Sequence, residues 1–273
     1  MEKDIKKDGI TGYQLKMIGV ILMVFDHIHQ MFYYAGDLEW LRILGRPVLP
    51  IFLFMCAEGY YHTRSKKKYA LRLLIAAVAM RIGTSTINTL FPITKYEVNL
   101  MNNVFYTMFV SVIVMMAIDS IREKKFLKAI LFFAIPLLGD VLLNVAIFTG
   151  NVSLISIVLF LPMYLAVEGG FTAVILAVLF YVFRENRMKQ SICLIIVSFI
   201  GIVLNFVSKG FSISFVDLFT QNIQWMMVFS LIPISLYNGQ RGKSSKYFFY
   251  IFYPAHIFAL YIIAYVLIKN GVL

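Results

Sequence analysis

The stretch "LKMIGVILMVFDHIHQMF", residues 15–32, decides the fold, because it is long enough to cross a bilayer yet carries Asp26, His27 and His29 toward its end. A hydrocarbon core takes about 20 apolar residues at roughly 1.5 Å rise each. Read as a span, this segment makes the chain a membrane protein, and the rest of the sequence agrees. Of 273 residues, 60% are hydrophobic and 14% charged, with a mean hydropathy of +0.81. The windows 98–118, 141–167, 190–208 and 218–240 hold no Asp, Glu, Lys, Arg or His.

Spanning segments satisfy their backbone hydrogen bonds internally, and no alternating ten-residue pattern indicates a barrel. The expected class is therefore all-α, a polytopic integral membrane helix bundle. Spans are expected near 14–34, 47–63, 69–91, 102–120, 127–148, 152–183, 190–208, 214–237 and 247–268. Residues 152–183 are too long for one crossing and contain Pro162 and the break "VEGG" at 167–170, so one broken helix, two short ones and a re-entrant element all fit. The expectation is about 9 to 11 transmembrane helices.

The formal net charge of +11 comes from short basic clusters between the apolar runs. These are Lys3/Lys6/Lys7, Arg64 to Lys68, Arg122 to Lys125, Arg184 to Arg187, and Arg241 with Lys243. Clusters of this kind are topology signals, not a nucleic-acid face. The positive-inside rule puts them in the cytoplasm and leaves "TGNVS" and "KGFSIS" outside, which gives a cytoplasmic N-terminus and an odd number of crossings. Residues 1–12 read as a cytoplasmic tail and 13–273 as a single transmembrane domain in the cell membrane. The first apolar run lacks a small-residue cleavage site and is expected to stay as a span. The two cysteines, Cys56 and Cys193, offer neither a disulfide framework nor metal-ligand spacing, and no metal is expected.

Ionisable groups inside a bilayer are costly, at least about 2.5–3.5 kcal/mol for Asp, Lys or Arg at a helix centre. Lys16, Asp26, His27, Arg46, Glu58 and His62 are concentrated in the first two spans, so they point to one polar site. Lys16 and His27 are eleven residues apart, close to three turns, and therefore share a helix face about 16 Å apart. A cytosolic anion with a long narrow arm fits that distance. A neutral imidazole can take a proton from an attacking amine or hydroxyl, and a carboxylate can fix its tautomer. Asp26 projects about 100° from His27 and can serve a neighbouring helix instead, while His29 points roughly the other way.

"LRILGRPVLPIFLFMCAEGYYHTR", residues 41–64, places Glu58 and His62 one turn apart, with Arg46 toward the opposite end. Glu58, among apolar neighbours, reads as functional. His62 and Arg64 read equally as a solvated helix end. In "KYFFYIFYPAHIFALYII", residues 246–263, Tyr253 and His256 flank Pro254, whose kink can open a polar cavity. The basic loops expected at 64–72 and 241–246 could take the phosphates of a nucleotide-bearing cofactor. Cys56 reads as inert packing.

These segments, with "NNVFYTMFVSVIVMM" and "EGGFTAVILAVLFYVFR", resemble the TraX family, which includes the F-pilin N-terminal acetylase and belongs with the transmembrane acyltransferases related to acyltransferase-3. The resemblance implies a basic residue eleven positions before a catalytic histidine, here Lys16 and His27. It also implies acetyl-CoA, or another acyl-CoA, as the cytoplasmic co-substrate. The sequence departs from the family run by adding His29, and by "VEGG" where many relatives have Asp-Tyr-Gly, which leaves Glu168 outside the expected site.

The expectation is an acyl-CoA-dependent acyltransferase (EC 2.3.1 type). His27, Asp26 and Glu58 would be catalytic, and Lys16, Arg46, His62, Arg64 and Arg72 would face the cofactor. Tyr253 and His256 would line the acceptor pocket. The partners would be membrane lipids and an acceptor that is a peptide N-terminus, a glycan or a small molecule. The competing expectation is a proton-coupled transporter or channel with an Asp26/His27/Glu58/His256 relay.

Overall fold

A computed structural model describes residues 8–208, 216–243 and 246–273; Lys3, Lys6, Lys7 and "KGFSIS" lie outside the described residues. The regular elements among the described residues are all helices, with two isolated β-bridges, Ile10 to Tyr237 and Ile93 to Val98. In chain order the α-helices are α1 (Gly12–Phe32), α2 (Glu39–Gly45), α3 (Val48–His62), α4 (Lys66–Leu90), α5 (Val104–Arg122), α6 (Phe126–Phe148) and α7 (Val152–Val158). There follow α8 (Gly170–Val182), α9 (Arg187–Ser208), α10 (Asp217–Thr220), a 3-10 segment (Ile223–Ser230), α11 (Leu231–Ser235) and α12 (Lys246–Lys269).

Among the described residues, six helical stretches are long and apolar enough to cross a membrane: Gly12–Ala35, Glu39–His62, Lys66–Leu90, Val104–Arg122, Phe126–Phe148 and Tyr247–Lys269. They mark the chain as a membrane protein. The second begins earlier than the sequence suggested, because α2 leads through a short turn at Pro47 into α3. The expected loop over 64–72 is helical from Lys66: Ser65 caps α4 through its hydroxyl, which accepts from Lys68 N at 3.4 Å, and the Lys, Ala and Leu residues that follow are good helix formers. The expected span at 152–183 is two short helices, α7 and α8, with a non-helical connector between them.

The chain divides into two compact units, with divisions inside α3, inside α4, before α5 and at the end of α8. The first comprises Met1–Met55, Thr84–Leu100 and Phe183–Leu273. There α1 packs against α2 and α12. Its N-terminus is closed by a capping box between Thr11 and Gln14, and its next amides donate to the carbonyls of Gln240 (Gly12 N, 2.8 Å) and Arg241 (Tyr13 N, 3.0 Å). These bonds dock the basic 236–243 loop onto the start of α1 and leave none of those helix-end donors orphaned.

The second unit comprises Cys56–Gly83 and Met101–Val182. Its central helix is α5, buried along most of its length and packed against α6 and α8. By contrast α6 presents Leu127, Ile130, Leu131, Leu137 and Leu138 outward, the apolar face that hydrocarbon would cover.

Candidate functional site

In the first unit, α1 carries the polar groups that the sequence singled out. His27 is only 2% exposed. Its Nδ1 lies 2.7 Å from Nε2 of His256 on α12, whose own Nδ1 lies 2.7 Å from the Phe252 carbonyl oxygen. The Tyr253 ring meets His27 edge to face at 6.2 Å, and the Phe252 ring stacks on His256 at 4.8 Å. Tyr253 and His256, expected in an acceptor pocket, thus stand against His27 itself. This pairing joins residues 229 positions apart, which no spacing rule in the sequence could foresee.

Asp26 does not face His27. Arg46 Nη2 donates to its Oδ1 at 2.6 Å, while Arg46 Nε donates to the Arg42 carbonyl at 3.1 Å and Nη1 to Gln224 Oε1 at 3.2 Å. All three guanidinium nitrogens are engaged within the unit, so the structure gives Arg46 the task of holding Asp26. Gly45 makes room for this, since a Cβ there would collide with the Asp26 carboxyl. His29 turns toward α2, with Nε2 3.4 Å from Glu39 Oε1.

Lys16 is half-buried near the start of α1, its ammonium 5.2 Å from the centre of the Phe249 ring. The Arg241 guanidinium of the docked loop acts on it electrostatically. One end of α1 therefore gathers Lys16 and Arg241, and the same helix presents His27 three turns further on. Such an arrangement can hold an anionic head at one end and a reacting carbon at the other. Residues 244 and 245 of the expected 241–246 loop lie outside the described residues.

Glu58, His62, Arg64 and Arg72 fall in the second unit. Glu58 is 3% exposed, and its Oε2 has no hydrogen-bond partner; His62 Nε2 is 3.8 Å away on a side chain that is 59% exposed. Arg64 is exposed in the bend before α4. Arg72 lies 5.7 Å from the Tyr69 ring centre with its Nε unpartnered. The Tyr69 hydroxyl reaches the Cys56 sulfur at 3.6 Å, passing over Gly59, and Cys56 is buried.

Sequence reasoning missed two carboxylates of this unit. Asp119, near the end of α5, accepts from Tyr60 at 2.7 Å and from Tyr181 and Lys66, with Arg122 at 3.7 Å. Its signal was a lone carboxylate closing an uncharged window just before the basic run at 122–125. Asp140, inside α6, accepts from the backbone amides of Tyr164 at 2.9 Å and Leu165 at 3.1 Å. Glu168 accepts from Asn103 N at 2.9 Å, at the start of α5, where a carboxylate suits a helix N-terminus. Among the described residues no group of three or more His, Cys, Asp or Glu could hold a metal ion.

The model of the family described as TraX protein matches residues 11–264 of this chain. The probable fimbrial assembly protein FimC, serogroup H1, of Dichelobacter nodosus is 25% identical over 263 residues, covering 90% of this chain and 93% of that protein. An uncharacterized protein of Rickettsia prowazekii (strain Madrid E) is 30% identical over 144 residues, covering 47% of this chain and 55% of its own. No solved structure matches.

Proposed function

Because the chain belongs to the TraX family, we propose that it is an integral membrane acyltransferase that moves an acetyl or other acyl group from cytoplasmic acyl-CoA to an amine or hydroxyl acceptor. The observation that carries this reading is the layout of α1. Lys16 stands beside the docked Arg241 loop at one end, and buried His27 lies about 16 Å along the same face. Acyl-CoA has a polyphosphate head and a long narrow arm ending in the thioester, and this spacing suits it. His27 serves as general base. As the acceptor nitrogen or oxygen bonds to the thioester carbonyl carbon, its proton passes to the imidazole. The carbon–sulfur bond then breaks, and the imidazolium gives that proton to the leaving CoA sulfur.

The fimbrial-assembly name of the Dichelobacter relative makes a pilin-like peptide amine the first acceptor to try. The hydrogen-bonded His27–His256 pair is also what a proton-coupled transporter would contain. Labelled acetyl-CoA separates the two readings. Purified protein should bind it and hydrolyse it slowly, His27→Ala should lose turnover while keeping binding, and Lys16→Ala should weaken binding. A folded wild type that neither binds CoA species nor gains heat resistance from them overturns the acyltransferase reading.

A further inference from the structure

An imidazole has two nitrogens, and in the neutral ring only one of them is basic. Which one it is in His27 follows from three groups standing in a row. The Phe252 carbonyl oxygen can only accept, so the hydrogen in its 2.7 Å contact with His256 sits on His256 Nδ1. A neutral ring has a single N–H, and His256 Nε2 is then an acceptor. The hydrogen in the 2.7 Å contact between the rings therefore belongs to His27 Nδ1. With both rings neutral, His27 Nε2 therefore carries the lone pair. Two imidazolium rings at this separation would set like charges in contact, which excludes the doubly charged alternative. The neighbouring Asp26 is committed to Arg46, and the chain of bonds ends on a carbonyl rather than a carboxylate. Phe252 fixes the plane of the His256 ring by stacking on it at an angle of 12°.

We propose that His256 is a positioning residue that holds His27 in the Nδ1–H tautomer, so that His27 Nε2 is the nitrogen that takes the acceptor's proton. The catalytic consequence rests on the acyltransferase reading; the tautomer does not. During the reaction His27 gains the acceptor's proton on Nε2 and later passes it to the leaving CoA sulfur, while its Nδ1–H stays bonded to His256 Nε2. His256 touches neither substrate.

Ring-nitrogen NMR on the full chain, labelled with 15N-histidine in detergent micelles, reports which nitrogens carry hydrogen, and His27→Gln and His256→Gln assign the signals. In wild type His27 is expected to be protonated on Nδ1 and bare on Nε2. His256→Gln keeps this pattern, because its amide oxygen can accept the Nδ1–H, and His256→Leu loses it. A His27 ring with hydrogen on Nε2 in wild type, or one unchanged in His256→Leu, overturns the proposal. Hydrolysis of labelled acetyl-CoA in the same preparations should fall on the order of 10²-fold or more in His256→Leu, with His256→Gln recovering most of it. Equal losses in the two variants would reduce His256 to a structural residue and overturn its positioning role. If folded wild type neither binds nor hydrolyses acetyl-CoA, the acyltransferase reading fails separately, and the NMR pattern still decides the tautomer.

Discussion

Arg46 and Asp26 meet across the turn of chain that joins α1 to α2, and each is about three-quarters buried, with side-chain exposures of 22% and 25%. Removing one member of such a pair leaves the other charge uncompensated, which costs about 3 kcal/mol. Arg46→Ala should therefore lower the thermal unfolding midpoint of the purified protein clearly, and Asp26→Asn combined with it should restore part of the loss. If the double variant is as unstable as the sum of the two singles, the charge pairing is not what stabilises this corner. Gly45→Ala should resemble Arg46→Ala, because its methyl group displaces the carboxyl. Glu58 poses the opposite case. A buried carboxylate oxygen without a partner costs stability, so Glu58→Gln should leave the unfolding midpoint unchanged or raised. The same variant's acetyl-CoA turnover tests the catalytic part that the sequence suggested for Glu58.

At the scale of elements, long uninterrupted apolar runs were legible as helices, and α1, α5, α6 and α12 stand close to where hydropathy put them. The segment 159–169 was legible only as a break. Its backbone groups are satisfied by side chains from distant positions, which local pattern cannot show. Tyr106 donates to the Phe160 carbonyl at 2.5 Å and Thr107 to the Glu168 carbonyl at 2.9 Å, while Asp140 takes two consecutive amides; in the other direction the Tyr164 hydroxyl donates to the Phe133 carbonyl of α6 at 3.0 Å. Gly139 admits the connector to within contact of α6, where a Cβ would strike the Pro162 carbonyl. Non-helical backbone at membrane depth survives only when it is satisfied in this way. The same limit applied to the site: Lys16 and His27 were found because they share one helix, whereas His256 was paired only by the fold. Asp140→Ala should cost about 3 kcal/mol, from two hydrogen bonds to a charged acceptor. It should also speed hydrogen exchange at the Tyr164 and Leu165 amides more than at α5. Uniform acceleration across both would mean that Asp140 stabilises the unit as a whole and not the connector.

For the whole chain, the contacts of α12 fix the relative direction of the first and last spans. Tyr13 meets Phe249 at 6.3 Å, and fourteen residues later on α1 His27 meets Tyr253 and His256, so the two helices run parallel. The opposite end of this unit gathers the chain consistently with that. Tyr33, just after α1, donates to the Tyr96 carbonyl at 2.7 Å; Tyr261 on α12 donates to the Phe91 carbonyl at 3.0 Å; and Lys95 reaches the Leu273 oxygen at 3.1 Å. Parallel first and last spans require an odd number of crossings between the two ends of the segment. Arg187 opens α9, and Arg241 and Lys243 lie just before α12, so by the positive-inside rule the side on which α12 starts is expected to be cytoplasmic. A reporter fused before residue 8 should then be active only as a cytoplasmic reporter, and one fused after Leu273 only as an extracytoplasmic one. Neutralising Arg241 and Lys243 should weaken this bias without reversing it, because the other basic clusters remain. Reporters that find both ends on the same side would require α1 and α12 to cross in opposite directions. That result would break the His27–His256 contact and, with it, the geometry on which the proposed site stands.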